Sequence, residues 1–195
     1  MKNLLNIIII LKLSFSFAQT KIDSLILSSH TKAELMFIEL VPENILNENF
    51  KFISENIIIE DYDFPSRINF SDSNKYKPVH HRISYNIMSN NLILTKLDLP
   101  FDINGELIYS KNGMKEILKP YLQVLEDKTK VDLKKAIEIA EKNGLKKIYN
   151  WDIDYEKRKL VWTLKSKLEN NMSEVIKINS KNEKILSKII EIPID

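Results

Sequence analysis

The chain has 195 residues, with 29 lysines and arginines against 27 aspartates and glutamates, and no cysteine. The lack of cysteine excludes disulfides, thiolate chemistry and a lipid-carrying cysteine. The interspersed, nearly balanced charge lacks the basic excess that nucleic-acid binders use to displace counterions, so no nucleic acid is expected as a partner.

Residues 1–20 read as an export leader. Lys2 gives a short positive start, residues 4–13 form an apolar run broken only by Asn6 and Lys12, and Ser16 and Ala18 stand at small-x-small spacing. The run is about ten residues, well short of the roughly twenty that cross a bilayer. A signal peptide over 1–18 is therefore expected, with cleavage after Ala18. Its removal takes Lys2 and Lys12 and no acid, which leaves basic and acidic residues equal in number. The mature chain is expected in the periplasm or outside the cell, without stable membrane insertion and stabilised by burial alone.

Thr31 and Glu34 have capping-box spacing, and Ala33, Met36, Phe37 and Leu40 follow at helical spacing. Residues 50–64 read as a strand pair, and the polar, proline-bearing stretch 64–78 as a loop. Alternation then places Val79, His81, Ile83, Tyr85 and Ile87 on one strand face. Asn90 and Asn91 turn the chain into a returning strand, and Asp102 to Gly105 turn it again into a strand at 106–110. Met114, Ile117, Leu118, Tyr121, Leu122 and Leu125 mark a connecting helical segment that Pro120 should kink or restart.

The clearest element covers 131–145. Leu133, Ala136, Ile137 and Ala140 form one apolar stripe, Asp132 is placed to cap the start, and Gly144 and Leu145 to close the end. The period then becomes two. Tyr149, Trp151, Ile153 and Tyr155 share one face, as do Leu160, Trp162, Leu164 and Leu168. Two more strands flank the polar turn 180–183. Such alternation implies an antiparallel sheet with one wet face and one face against the helix. Tyr149, Trp151, Tyr155 and Trp162 should mostly be core. If one strand instead buries its other side, they become a patch for a partner.

The segment 131–190 resembles the PepSY domain, a small module of exported bacterial proteins and peptidase propeptides. "LKKAIEIAEKNG" is similar to its opening helix, "LVWTLKSKL" to its central strand, and "EVIKINSKNEKILS" to its closing hairpin. Asn179 stands at the family's Asp position, and Asn182–Glu183 replaces its Thr–Gly. The earlier "FDINGELIYS" keeps both Asp102 and Gly105, so it matches that hairpin better. The expected fold is α+β, with helices packed on antiparallel β-sheet in two tandem PepSY-like units of a helix plus three or four strands. The expected division is a signal peptide at 1–18, a degenerate PepSY-like unit at 19–112, a connecting helical segment at 113–130 and a PepSY-like domain at 131–195. The resemblance implies a module that inhibits or restrains peptidases, and it fixes no binding residue.

The sequence offers little reactive chemistry. It has no G-x-S-x-G elbow and no H-E-x-x-H helix, and its only histidines are His30, His80 and His81. Strand neighbours point to opposite faces, so His80 and His81 should not close on one ion, and His81 should be a hydrogen-bonded, half-buried ring. Glu60 to Asp63 form an acidic cluster. Asp152 and Asp154 share a strand face about 7 Å apart, a spacing open to a carboxylate pair or Ca²⁺, although a solvated face with Lys157, Arg158 and Lys159 nearby is the simpler reading. No catalytic, cofactor-binding or metal-ligating residue is expected. The expected role is a non-enzymatic binding module with a peptidase or envelope protein as partner. The alternative is a small-ligand or cation-binding periplasmic protein using Asp152 and Asp154, or His80 and His81.

Overall fold

Apolar alternation over the last fifty residues organises a four-stranded antiparallel sheet. The computed structural model describes residues 24–59, 67–69, 76–169 and 172–192. The expected leader and the cluster Glu60 to Asp63 lie outside the described residues. Among those described are four helices: α1 (24–40), α2 (Glu43–Asn49), α3 (Lys111–Leu125) and α4 (Leu133–Lys142). The strands are β1 (Phe50–Ile59), β2 (Arg67–Asn69), β3 (Tyr76–Pro78), β4 (His81–Ser89), β5 (Leu92–Phe101), β6 (Ile148–Glu156), β7 (Lys159–Lys167), β8 (Ser173–Asn179) and β9 (Ile185–Glu191). They form an antiparallel sheet β1-β4-β5, a pair β2-β3 and an antiparallel sheet β6-β7-β8-β9. The fold is α+β, with helices against antiparallel sheets.

Packing divides the chain into two units. One takes residues up to Leu40, Ile53–Ser84 and Asp98–Ser110; the other takes Val41–Phe52, Tyr85–Leu97 and everything from Lys111. In the first, Ser29, Ala33 and Phe37 recur every four residues on the buried stripe of α1, and Val79, His81, Ile83, Leu99 and Phe101 are also buried. Thr31 does not cap this helix. The helix already runs through it, and its hydroxyl donates back to the Leu27 carbonyl at 2.9 Å. The expected strand pair over 50–64 is a single ten-residue strand as far as it is described. The expected loop 64–78 contains the pair β2-β3. The expected strand at 106–110 is reduced to one bridge, Phe101 to Leu107, made by Asp102 N–H to the Glu106 carbonyl and Ile108 N–H to the Pro100 carbonyl, both at 2.9 Å.

In the second unit, α4 follows its sequence signals. The Asp132 carboxylate accepts from Lys135 N–H at 2.7 Å, a cap worth about 1 kcal/mol. Gly144 has φ +96°, and Leu145 N–H closes on the Ala140 carbonyl at 3.0 Å. Helix α3 passes through Pro120 as one element, so the proline neither breaks nor restarts it. Pro120 is buried with Met114, Leu118 and Val124, and that apolar face offsets the lost backbone bond. α4 packs on β7 and α3 on β6. Two-residue turns join β4 to β5 at Asn90–Asn91 and β6 to β7 at Lys157–Arg158, and all four residues are left-handed. That geometry twists a hairpin in the same sense as its strands.

Trp162 fixes where α4 sits. It is fully buried on β7, paired with Ile153 on β6 and Ile178 on β8. Its indole N–H donates to the Val131 carbonyl at 2.8 Å, and Val131 N–H donates to the Ser180 carbonyl at the β8–β9 tip at 3.0 Å. One residue's backbone is thus clamped between the central strand and the hairpin just before the helix begins. Of the four aromatics expected in the core, only Trp162 is there. Trp151 is half-buried, and Tyr149 and Tyr155 are exposed. β6 is an edge strand, paired among the described residues with β7 alone, so its side chains are less enclosed than those of β7.

Candidate functional site

A buried polar cluster joins α1 to the entrance of β4. Ser29 Oγ lies 2.8 Å from His81 Nε2, and His81 Nδ1 lies 3.0 Å from His80 Nδ1. The His81 ring stacks on Phe101 with centroids 5.2 Å apart and planes 15° from parallel, while His80 presents its edge. The two imidazoles therefore do meet, contrary to the alternation argument. The strand begins at His81, so His80 is not bound by strand geometry, and its N–H is committed to the Phe101 carbonyl at 2.8 Å. His81 is fully buried rather than half-buried. Burial draws its imidazole from 6.5 down to about 4, with the charge of His80 acting the same way and Asp102 opposing.

A serine, a histidine behind it and a second histidine behind that is the connectivity of an activated nucleophile. Two observations argue against that use. Ser29 and His81 are 0% and 1% exposed, so no acyl or phosphoryl group can approach the hydroxyl. An imidazole held neutral down to about pH 4 is also a weak base for a serine proton. Sequence reasoning missed Ser29, because a serine in an apolar stripe carries no motif and its partner is 52 residues away.

The second candidate lies on β6. Asp152 accepts from Tyr121 Oη of α3 at 3.0 Å and from its own neighbour Ile153 N–H at 2.9 Å. Asp154 accepts from Tyr155 N–H at 2.6 Å. Burial lifts the Tyr121 phenol from 10.0 to about 12; a Thr95 hydrogen bond opposes this, and Asp152 and Asp154 add to it. Lys119 sits 5.5 Å above the Tyr155 ring. Asp152 is engaged by Tyr121 and by Ile153 N–H, and Asp154 by Tyr155 N–H, so the two side chains share no hydrogen-bond donor among these. Among the described residues, no three His, Asp or Glu side chains gather where a metal ion could be held.

The third candidate is the other edge of the C-terminal sheet. The β6 edge carries α3, and the Trp151 indole donates to the Ile93 carbonyl at 3.0 Å. Among the described residues, β9 has one hydrogen-bonded strand neighbour, β8. Along it Leu186, Ile189 and Ile190 are exposed, and Ile192 just beyond is 72% exposed. Lys188 is drawn aside by Glu174 at 2.9 Å and the Asn143 carbonyl at 2.9 Å, and Glu191 by Lys165 at 2.6 Å. The sequence signal was present: isoleucines at both odd and even positions cannot all face one core.

Among the described residues, no helix is long and apolar enough to cross a membrane. Compared with the models of known protein families, with curated proteins and with solved structures, the chain matches none of them.

Proposed function

We propose that the protein is an exported, non-enzymatic binding module that takes an extended segment of a partner protein along β9, and that the partner is a peptidase or another envelope protein. The observation that carries this reading is the β9 edge, which no further strand pairs among the described residues, with exposed isoleucines on both of its faces. Unpaired strand N–H and C=O groups are a template for another strand, and alternating apolar pockets give such pairing its selectivity. Long, apolar edges are normally blunted. Here the charged residues that would do so, Lys188 and Glu191, are tied down within the sheet. The leader-like start and the PepSY-like segment support an exported, peptidase-restraining role.

The test uses immobilised chain against envelope extract, with proteolysis assayed in parallel. Capture of a peptidase, or slowed proteolysis, that is lost in Ile190→Lys supports the reading. Absence of both partner and effect overturns it. Equal capture by Ile190→Lys removes β9 as the surface.

A further inference from the structure

Several attachments hold α1 in its unit. Ala33 and Phe37 bury apolar side chains, Lys32 reaches the Gly105 carbonyl at 2.7 Å and Glu106 at 2.6 Å, and Ser29 bonds His81 in the interior. The last of these depends on how many protons the histidines hold. A contact between two Nδ1 atoms holds one proton, since one ring must donate and the other accept. With both Nδ1 atoms protonated, two N–H groups point at each other. Charging His81 alone places a cation on a ring stacked against Phe101 and cut off from water.

The ionisable groups acting on His81 are His80, entering β4, and Asp102, in the turn after β5. Asp102 Oδ1 already accepts from Asn104 and Glu106 N–H, both at 2.9 Å, which holds the carboxylate in its turn. α1 faces His81 with Ser29. Its nearby ionisable side chains are engaged elsewhere, Lys32 with Glu106 and His30 with Glu34 at 3.6 Å.

The geometry points to an acid-sensitive latch: the Ser29–His81–His80 chain locks α1 onto β4 while His81 is neutral, and frees α1 when His81 takes up a proton. The latched imidazole ionises near 4, and release moves it back toward the ordinary 6.5 as water reaches the ring. The released state therefore binds more protons between those values, and latching weakens as pH falls through that window. The ratio of released to latched states rises by up to about thirtyfold from pH 7.5 to pH 5, and saturates at up to a few hundredfold below pH 4. Release uncovers the Ala33–Phe37 stripe in acid.

Hydrogen exchange of the full chain tests this, comparing segment 24–40 at pH 7.5 and 5.0 after correction for intrinsic rates. Its opening should rise by up to about thirtyfold, the ratio set by the two ionisation states, with no such change in β6–β9. His81→Phe keeps the stack on Phe101 and should abolish the response; if it does not fold, His81→Gln serves. NMR titration of His81 in the unmodified chain should show ionisation below the ordinary 6.5, over the same pH range as the change in α1 amides. An unchanged response in the His81 variant overturns the latch, as does a response abolished by Glu106→Gln instead. His81 ionising near 6.5 with α1 undisturbed also overturns it.

Discussion

Trp162→Phe tests the clamp that positions α4. The side chain is fully buried, and its N–H is bonded to the Val131 carbonyl at 2.8 Å. Phenylalanine keeps an aromatic ring on β7 but leaves that carbonyl without its donor, at about 1–3 kcal/mol. The smaller ring also leaves a void between Ile153 and Ile178, which adds about 1 kcal/mol where neighbours relax only partly. The expected loss is about 2–4 kcal/mol, a fall in Tm of several degrees for a domain of this size. Urea denaturation followed by circular dichroism measures it, and Trp151→Phe is the control. Trp151 donates a comparable bond to the Ile93 carbonyl but is half-exposed, so water replaces it and the loss stays at about 1 kcal/mol or less. If Trp162→Phe lies within about 0.5 kcal/mol of the parent, or matches Trp151→Phe, the backbone just before α4 is not what holds the helix in place.

Three further comparisons use the same denaturation assay. Glu183 is left-handed at φ +62° and pairs with Lys135, so Glu183→Gly should exceed Glu183→Ala in stability by about 1 kcal/mol, since both lose the ion pair and only glycine loses the strain; equal stabilities would refute this. Gly105→Ala should cost about 1–2 kcal/mol through its φ of +69° alone, because the added carbon would meet Leu25 at an ordinary 3.4 Å. Ser180 Oγ is buried with no hydrogen-bond partner among the described residues, so Ser180→Ala should be neutral or stabilising by up to about 1 kcal/mol; a loss beyond about 1.5 kcal/mol would mean that the hydroxyl has a partner.

Elements with agreeing local signals were readable from the sequence. α4 had its cap, stripe and glycine, and β7 had Leu160, Trp162 and Leu164 in alternation. α2 was not readable: its seven residues bury only Ile45, and Pro42 offers no side-chain cap, so only its surroundings make it a helix. The start of α1 was misplaced because Thr31 and Glu34 imitate a capping box from inside the helix. The histidine contact was hidden because strand alternation says nothing about the residue just before a strand. Ser29 and Tyr121 were hidden because each becomes notable only through a partner distant in sequence, His81 and Asp152.

The two turns that looked alike in sequence are built by the same device, although they end differently. Asp102 accepts from the N–H two residues on, and so does Asn179; a left-handed residue, Gly105 or Glu183, then precedes the return. A side-chain oxygen steers the chain in both, which is how a protein with three glycines can write the turn twice. The stretch beyond each turn decides the outcome. After Gly105 the chain makes one bridge and leaves; after Glu183 it continues as β9. Each tip is also fastened by a lysine from its own unit's helix, Lys32 to Glu106 and the Gly105 carbonyl, and Lys135 to Glu183. This explains why a strained glutamate is tolerated at the second tip. Its left-handed backbone costs about 1 kcal/mol, but glycine would forfeit the side chain that reaches α4's Lys135, and exposed pairs of this kind return up to about 1 kcal/mol. At the first tip the glutamate sits one residue later, outside the left-handed position, so glycine can take the strained site and the lysine link is kept.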